Sequence, residues 1–540
     1  MGDAHTSHGT HSAPRFSGPL AWLVAAIIGM AAGAFTTLII PAPTARPASE
    51  VSAPGSDLRV VEILADGTRV ELRGAVAPAA DQGLPPVPTM ELWHCLPFAL
   101  LLGGIALMPF INEKWWHTYY PEVSLFLGGL VVGFYLLQFG AHGRVIMLHT
   151  AAEYISFFAL VGGLYVVSGG ILVDVRARGT PTVNTAILAA GAVIANLVGT
   201  TGASMLLIRP FLRINSPEHG GRLRPLHVVF FIFIVSNCGG CLTPIGDPPL
   251  YLGFLKGVPF QWTLFNLWPM WLLVNGILLA VFFVLDSLSA RRSPTGAMTQ
   301  PDQAKAGVTV IGASGMICLA LIVACVFIDP LLKKFFGIEH IPIGASCQLL
   351  VAVLAYVIAP RHIHRANAFN FAPVKEVGLL FVGIFATMAP ALAYLDQRAS
   401  SLGLESPTQF YFATGLLSAC LDNAPTYLSF LQIAFSTLGL SLTPDEIARF
   451  LEGTFILAHP ESAAGPASGI SFVGAKLLSG ISQGAVFFGA MTYIGNGPNF
   501  MVKAIAEGSG LRMPSFFGYL ALSCLILGPV LVVNWFVFVR

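Results

Sequence analysis

The chain of 540 residues is dominated by apolar side chains: 55% of its residues are hydrophobic and only 10% are charged. A soluble domain carries about 25% charged residues, so this composition excludes an ordinary soluble protein and predicts a polytopic membrane protein. The net charge is +1, from 28 basic and 27 acidic residues, which leaves no basic footprint for a nucleic acid. The eight cysteines lack the spacing of a disulfide framework, and we interpret them as small buried residues.

The first 95 residues precede the regular series of apolar segments. Residues 1–18 form a polar tail, and residues 19–40 are long enough to cross about 30 Å of hydrocarbon. We interpret them as a cytoplasmic tail and a transmembrane anchor, with a cleaved signal peptide as the alternative for the anchor. Residues 41–95 are rich in Pro and Ala and are predicted to be extracytoplasmic. Within them, alternating residues around Asp66-Gly67 predict a short β-hairpin.

Apolar segments then follow one another to the end of the chain. Two of them, 182–208 and 409–438, are interrupted by small and polar residues and predict re-entrant hairpins, which need cover by protein or a cavity. With the N-terminal anchor, the others predict an all-α fold of about 11 transmembrane helices. The predicted spans lie near residues 96–111, 121–140, 146–172, 226–255, 262–285, 308–328, 343–359, 374–395, 470–502 and 515–538.

The basic residues predict the orientation of these spans. With the N-terminus in the cytoplasm, most Arg and Lys residues near span ends, including Arg213 and Arg224, fall on the inner side, as is typical of cytoplasmic loops. We therefore expect a multi-pass protein of the bacterial inner membrane. Residues 286–307 form a cytoplasmic linker between a first transporter repeat, 96–285, and a second repeat, 308–540.

The two repeats contain matching motifs. Residues 243–251 read TPIGDPPLY and residues 492–500 read TYIGNGPNF, so both follow the pattern T-x-I-G-(D/N)-x-P-x-aromatic. Each motif follows a span that opens on a glutamate and a hairpin that contains an asparagine, Asn196 or Asn423. Because the copies begin on opposite sides of the membrane, they predict two inverted repeats, as in many secondary transporters.

Each motif also interrupts a predicted helix. Glycine and proline unwind the helix near the middle of the membrane, so that backbone carbonyls and helix ends become available as ligands. The residues concerned are Gly246, Pro248 and Pro249 in the first repeat and Gly495 and Pro498 in the second.

Two acids occur in these interrupted elements, Asp247 and Asp422. A charge at this depth is costly, which favours a functional role, with capping of the following half-helix as the alternative for each acid. The surrounding segments contain no Arg or Lys but many oxygen ligands, which suit a hard cation such as Na⁺. We predict a Na⁺ site at both acids. The segments hold Asn196, Asn237, Asn423, Asn496 and Asn499 and many Ser and Thr hydroxyls, Thr200 among them, as candidates to complete it.

A carboxylate held away from water binds either a proton or a metal ion, which is the chemistry of a cation/proton antiporter. Glu153 and Glu376 are candidates for a proton relay, and anchoring at the membrane interface is the alternative for both. No phosphate-binding loop and no hydrolase motif occurs in the sequence, so we expect neither an enzyme nor a cofactor beyond the transported Na⁺ and H⁺.

The motifs SNCGGCLTPIGDPP, SACLDNAPTYL and TYIGNGPNF resemble those of NhaD-type sodium:proton antiporters, within the ion transporter superfamily that also holds arsenite-pump-like and citrate transporters. The resemblance covers residues 95–538. It implies a scaffold around a mobile, elevator-like transport domain, and by analogy a homodimer. The sequence departs from the family pattern at the first hairpin, where Ala195 precedes Asn196 and similar proteins often have an acid. Transport of an anion such as citrate, or of arsenite, stays open. The ligands that the resemblance implies are Ser236, Asn237, Thr243, Asp247, Asp422, Asn423, Thr426 and Asn496.

Overall fold

The computed structural model consists mainly of α-helices, and nine helices among its described residues are long and apolar enough to cross a membrane. The predicted all-α, multi-pass membrane fold is therefore confirmed. The predicted tail at 1–18 and most of the anchor at 19–40 and of the linker at 286–307 lie outside the described residues. The structure describes residues 59–63, 69–72, 90–219, 221–291, 307–336, 342–458 and 470–540, with a few positions between 22 and 30.

The first half begins with a β-hairpin and continues as seven helices with one further strand. Pro is the first residue of three of these helices, where its fixed φ suits a helix start and its missing N–H leaves no hydrogen bond unmade. The elements are β1 (Arg59–Ile63), β2 (Arg69–Leu72), α1 (Leu96–Ile111), α2 (Glu113–Gln138), α3 (Gly140–Gly169), β3 (Leu172–Arg176), α4 (Pro181–Asn215), α5 (Pro225–Ile234), α6 (Pro248–Lys256) and α7 (Phe260–Arg291).

The second half contains eleven helices and three strands among the described residues. They are β4 (Gly307–Ile311), α8 (Ala313–Cys325), α9 (Ile328–Phe336), α10 (Ile343–Ile358), α11 (Arg361–Ala366), α12 (Ala372–Arg398), α13 (Pro407–Cys420), α14 (Asn423–Thr437), α15 (Pro444–Glu452), β5 (Thr454–Ala458), β6 (Ile470–Val473), α16 (Gly474–Phe488), α17 (Gly497–Gly508) and α18 (Phe516–Asn534).

Helix α4 has the length of a membrane span but turns back on itself. Gly199 interrupts it with φ 76° and ψ 155°, a backbone conformation that glycine adopts without steric cost. Asn184 and Asn215, near its two ends, exchange hydrogen bonds of 2.9 and 2.8 Å. A straight helix would hold residues 31 positions apart at about 46 Å. Helix α4 is therefore a re-entrant hairpin, as predicted, and we call it hairpin 1.

Helices α13 and α14 form the second predicted hairpin, which we call hairpin 2. Leu421 and Asp422 have extended backbone conformations between the two arms. The rings of Phe410 and Phe430 lie 6.4 Å apart across the arms. In a straight helix these two residues would be about 30 Å apart, so the chain reverses direction at residues 421 and 422.

The two hairpins open at opposite ends of the helical bundle. The base of hairpin 1 lies beside β3, where α3 ends, and Tyr165 near that end donates a hydrogen bond to the carbonyl oxygen of Asn370, just before α12. At the base of hairpin 2, Ser436 donates to Asp396, near the other end of α12. A helix of the length of α12 measures about 40 Å. We call the end with hairpin 1 the first face and the other end the second face.

Both motif segments separate two half-helices. The predicted span at 226–255 divides into α5 and α6, and the predicted span at 470–502 divides into α16 and α17. Residues 235–247, here break 1, contain the short 3-10 helix Cys238–Leu242. Residues 489–496, here break 2, contain a 3-10 helix at Gly489–Met491. The α-helix is therefore interrupted at the two positions that the glycines and prolines predicted.

Two small antiparallel sheets lie outside the helices. Strands β3 and β4 pair from Leu172↔Ile311 to Arg176↔Gly307, so residues 307–311 belong to a strand and the predicted span at 308–328 begins only with α8. The four consecutive β-branched residues of GVTVI favour a strand, although their hydropathy is that of a span. Arg213 of hairpin 1 and Arg176 pair with Asp174 of β3, and these guanidinium groups hold the pKa of that carboxyl below its usual value.

The second sheet has the strand order β2-β1-β5-β6 and joins two distant parts of the sequence. Strands β1 and β2 confirm the predicted hairpin around Asp66-Gly67, and β1 also pairs with β5, which follows the amphipathic helix α15. Buried Glu62 accepts hydrogen bonds from Arg449 of α15. The described strands from before the helical bundle and from the insertion after hairpin 2 therefore share one sheet at the second face.

Candidate functional site

Asp247 lies where both hairpins and both breaks meet, and its side chain is 1% exposed. It occupies the N-cap position of α6, yet its carboxylate makes no capping hydrogen bond to that helix. The capping interpretation of its side chain is therefore wrong. Pro248 and Pro249 follow as the first residues of α6, where proline is well tolerated.

Three uncharged side chains from different elements donate hydrogen bonds to this carboxylate. Thr200, just after the turn of hairpin 1, donates to Oδ1 at 2.9 Å. Asn496, in break 2, donates to the same oxygen at 3.0 Å. Asn423, at the tip of hairpin 2, donates to Oδ2 at 2.7 Å. The structure thus brings four predicted site residues into direct contact, although they lie up to 296 positions apart in the sequence.

A chain of asparagine side chains extends this cluster. The Nδ2 atom of Asn496 also lies 3.1 Å from Oδ1 of Asn237 and 3.2 Å from the carbonyl oxygen of Ser236. Asn237 in turn donates to Oδ1 of Asn499 at 2.6 Å, and Asn499 donates to the carbonyl oxygens of Gly489 and Thr492. These amides connect break 1 of the first repeat to break 2 of the second repeat.

Predicted ligands Asn196 and Thr243 hold hairpin 1 against break 1 and do not contact Asp247 directly. Thr243 donates to the carbonyl oxygen of Asn196 at 2.6 Å, and the Asn196 amide donates to the carbonyl oxygen of Gly239 at 2.7 Å. The backbone N–H of Thr200 donates to the carbonyl oxygen of Gly246 at 2.8 Å. These bonds position the hydroxyl of Thr200 for its contact with the acid.

The second half repeats this arrangement with a shift in the sequence correspondence. Thr492 donates to the carbonyl oxygen of Ala419 at 2.6 Å, as Thr243 donates to that of Asn196. Asn196 therefore corresponds to Ala419 and not to Asn423, the pairing that the sequence motifs predicted. When the alignment of the two hairpins is shifted by these four positions, Asn423 becomes the counterpart of Thr200, and both side chains bind Asp247.

The two breaks have the same tight backbone contact. A Cβ added to Gly246 would overlap the carbonyl oxygen of Gly240, and one added to Gly495 would lie 2.6 Å from the carbonyl oxygen of Gly489. A side chain at either position is thus excluded by backbone atoms. Pro498 is the second residue of α17 and starts the half-helix after break 2, as Pro248 starts α6.

Asp422 has a different environment from Asp247. Its Oδ1 atom accepts a hydrogen bond of 3.0 Å from the backbone N–H of Ala424 and caps α14. The hydroxyl of Thr426, another predicted ligand, donates to the Asp422 carbonyl oxygen at 2.9 Å and remains inside the helix. The capping interpretation therefore fits the Asp422 side chain, which lies next to the Asn423 that contacts Asp247.

Ser236 is fully buried, and its hydroxyl lies 2.8 Å from that of Ser204 in hairpin 1. The sequence interpretation included Ser236 as a ligand, named Asn499 only among the polar residues of the surrounding segments, and did not name Ser204. Asn499 lies three positions after Asn496, the N-cap residue of α17, which brings the two side chains close together. No local signal pointed to Ser204, which is brought to Ser236 only by the fold of the hairpin.

The two candidate relay glutamates lie away from this cluster. The Glu153 carboxylate is 2.6 Å from Nζ of Lys256, at the far end of α6, and 3.3 Å from Nδ1 of His149. Nine helical residues, or about 13 Å, separate that end of α6 from Asp247. Glu376 lies in the second turn of α12, toward the first face. The structure therefore assigns Glu153 to an ion pair and places neither glutamate beside the buried acid.

The arrangement is a buried carboxylate whose hydrogen-bond donors, among the described residues, are all uncharged. The Oδ1 atom of Asn423 is buried there and accepts no hydrogen bond from any described group. Oxygen atoms that lack a donor are what a bound cation or a protonated partner would use. The cluster could thus hold a small cation, a proton, or each in turn.

Residues 87–539 match a family model that is described as "Putative citrate transport". The match covers helices α1 to α18, including both hairpins, both breaks and Asp247. No curated protein matches the sequence.

Proposed function

We infer the function from the family to which the chain belongs, the citrate-transport family, which makes it a secondary transporter of the ion transporter superfamily. We propose that it exchanges Na⁺, or Li⁺, for H⁺. The proposal makes Asp247 the residue that alternates between a proton and the cation. Asp422 would act in the same way only if it is released from its position at the start of α14.

The observation that carries this proposal is the burial of Asp247 among uncharged donors. A carboxylate in a site of low polarity needs a neutralising partner, and one that is paired with Arg or Lys would already have it. Thr200, Asn423 and Asn496 stabilise the carboxylate without neutralising it. A proton or a monovalent cation would complete the neutralisation, and each would exclude the other.

The oxygen atoms for a cation are available around the acid. Asn423 Oδ1, which has no hydrogen-bond donor among the described groups, and the hydroxyl of Thr200 flank the carboxylate. Rotation of an asparagine amide exchanges its N–H₂ for its oxygen, so that a donor to the carboxylate becomes a ligand of the cation. The same residues could thus serve both the empty and the loaded site.

The position of the site between two hairpins of opposite orientation supports alternating access. Thr200 and Asn423 come from hairpins that open at the first and the second face, and each lies at a hairpin tip. In transporters with inverted repeats, such a central site is exposed to one side at a time by movement of the elements around it. We propose that the hairpins and broken helices move together as an elevator-like domain.

The second candidate function is transport of citrate or a related carboxylate, which the family description favours. A polyanion would need positive charge, and the segments around Asp247 contain no Arg or Lys. A cation bound at Asp247 could supply that charge. In this case Asp247 would bind the coupling ion and not the principal cargo.

The test follows the internal pH of proteoliposomes with a trapped dye, and the uptake of labelled citrate in parallel, after addition of Na⁺, Li⁺, K⁺ or citrate. Asp247→Asn removes the charge of the proposed site, and we expect it to abolish the Na⁺-driven pH change. Asp445→Asn, at an exposed acid of α15, is the matched control and should retain it.

Asp422→Asn separates charge from capping, because Asn caps a helix about as well as Asp. Loss of exchange in this variant would mean that the Asp422 charge takes part in transport, whereas normal exchange would leave it a cap. If Na⁺ produces no pH change in the wild type while citrate is taken up, the antiport proposal is wrong and the second candidate replaces it.

A further inference from the structure

Two cysteines, Cys325 and Cys347, lie side by side near the second face. Cys325 is the last residue of α8, and Cys347 lies in the second turn of α10. Cys325 is buried and Cys347 is partly exposed, and their side chains are in hydrogen-bonding contact. The pair belongs to α8 and α10 and is therefore separate from the hairpins and breaks that form the Asp247 cluster.

Helices α8 and α10 run in opposite directions. Helix α8 follows β4 and begins at the first face, because β4 pairs with β3 there. Helix α10 ends at the same face, since a Cβ added to Gly170, just after α3, would lie 3.1 Å from the Cβ of Ala359. The end of α8 and the start of α10 are therefore neighbours at the second face.

Close contacts fix the register of these two helices. A Cβ added to Gly344 would lie 2.6 Å from the carbonyl oxygen of Cys325, so Gly344 and Cys325 are level. One turn further from the second face, Ile322 of α8 and Gln348 of α10 lie against the same glycine of α3. Cys347 comes between Gly344 and Gln348 and is thus level with the last turn of α8.

The side chains of the two cysteines lean toward each other. In an α-helix, the Cα–Cβ bond is tilted toward the N-terminus. The N-terminus of α8 is at the first face, so the Cys325 side chain leans toward the level of Cys347. The N-terminus of α10 is at the second face, so the Cys347 side chain leans back toward Cys325. A disulfide requires Cα atoms less than about 7 Å apart, and a glycine such as Gly344 lets two helices approach closely.

The position of the pair also places it next to an oxidising compartment. The distribution of basic residues predicts that the second face is extracytoplasmic. Disulfides form and persist in extracytoplasmic compartments, whereas thiols on the cytoplasmic side are kept reduced. Cys347 is the more exposed of the two cysteines, so a soluble oxidant reaches its sulfur first.

We propose that Cys325 and Cys347 form a disulfide that ties α8 to α10. The oxidant is itself a disulfide, in a thiol oxidase or a small molecule. The Cys347 thiolate attacks it, forms a mixed disulfide and releases one thiol of the oxidant. The Cys325 thiolate then attacks the Cys347 sulfur and releases the second thiol. The protein thus loses two electrons and two protons, and the oxidant gains them.

The bond restricts the unfolded chain between the two helices and so stabilises the folded protein. It does not depend on the identity of the cargo at Asp247.

The first test counts thiols and locates the bond in the full-length protein. Cells are treated with N-ethylmaleimide before lysis, and the purified protein is unfolded with more of this reagent and no reductant. We expect two of the eight cysteines to escape alkylation until dithiothreitol is added. Tandem mass spectrometry of tryptic peptides should identify them as a link between Cys325 and Cys347. Alkylation of all eight cysteines, or a link between other cysteines, would overturn the proposal.

Thermal unfolding in detergent measures the effect of the bond. Dithiothreitol should lower the Tm of the wild type by a few degrees. Cys325→Ser and Cys347→Ser should have the lower Tm with and without the reductant. Cys318→Ser, at a buried cysteine two turns earlier in α8, is the matched control and should keep the response.

If Cys325→Ser does not fold, Cys347→Ser gives the comparison by itself, because its position is partly exposed. A wild-type Tm that does not respond to the reductant, or a response that Cys347→Ser retains, would contradict the proposed bond.

Discussion

Asp247 shows how a single side chain can occupy a capping position without acting as a cap. Its backbone starts α6, but its carboxylate turns toward Thr200, Asn423 and Asn496. Asn496 has the corresponding N-cap position before α17 and also makes no capping bond. Each break therefore uses its N-cap residue to contact the other, and the half-helix N-termini keep their N–H groups directed toward the site.

The glycine before Asp247 is required for this geometry, which predicts the effect of Gly246→Ala. The added Cβ would overlap the carbonyl oxygen of Gly240 and lie 3.0 Å from Oδ1 of Asn196. Backbone atoms of the break cannot move aside without displacing the carboxylate. We expect a loss of about 1–3 kcal/mol in the free energy of unfolding and a strong loss of transport.

Gly497→Ala is the matched control, because a Cβ added to Gly497, the first residue of α17 after break 2, meets no atom within 4 Å. Thermal unfolding in detergent and transport in proteoliposomes would be measured for both variants. Equal behaviour of the two alanine variants would contradict the close backbone approach at Gly246.

At the scale of elements, hairpin 1 is distinguished from a transmembrane span only by its turn. Its composition and length match those of a transmembrane helix, and Thr180 caps its first turn as in an ordinary helix. Gly199 reverses the chain, and the reciprocal amide bonds of Asn184 and Asn215 close the open end. The same Asn184 also donates to buried Asp286, which ties the hairpin to α7.

Spin labels at Thr182→Cys and Ser216→Cys, in a background without the native cysteines, should lie within about 25 Å of each other. These positions flank the bonded asparagines at the base of hairpin 1, whereas a straight helix would separate them by about 51 Å. Pulsed electron paramagnetic resonance gives the distance directly.

The control pair, Thr182→Cys with Leu197→Cys, lies in one arm and should give about 22 Å whether or not the helix turns at Gly199. A distance near 50 Å for the first pair, with the control unchanged, would show that α4 crosses the membrane as one helix.

At the scale of the whole molecule, an ion pair connects α3 to α6, the half-helix that begins after Asp247. Lys256, at the end of α6, forms an ion pair of 2.6 Å with Glu153 in the middle of α3. Both side chains are only 15–20% exposed, so screening by water and salt is limited. If α6 moves relative to α3 during transport, as the proposed elevator motion requires, this ion pair must break in each cycle.

Glu153→Gln should therefore favour the other conformation of the transporter. If the ion pair stabilises the present conformation by about 1 kcal/mol, its loss changes the ratio of the two conformations by about fivefold. The change would appear in the rates at which membrane-impermeant thiol reagents label Thr201→Cys, at the tip of hairpin 1, from either side of the membrane.

The charge-swap variant Glu153→Lys/Lys256→Glu restores the ion pair and should restore the labelling rates of the wild type. Identical rates in all three proteins would mean that the pair contributes nothing to the balance between conformations.

The sequence alone determined the class of fold and most of the candidate site. Hydropathy depends on residue type, so it identified the membrane protein, the hairpins and the broken spans before any contact was known. Gly246, Pro248 and Pro249 located break 1, because their backbone restrictions are local. The β-hairpin around Asp66-Gly67 was also predictable, since alternation and turn residues act over a few positions.

Only the tertiary structure decided how these parts combine. The separation of Asp247 from Asp422 into a buried acceptor and a helix cap depends on which side chains approach from other elements, and residue type does not encode this. The correspondence of Asn423 with Thr200, the Ser204–Ser236 contact and the pairing of β1 with β5 are likewise long-range. Such contacts join residues hundreds of positions apart, and their choice depends on packing and hydrogen-bond satisfaction throughout the bundle, which no local pattern specifies.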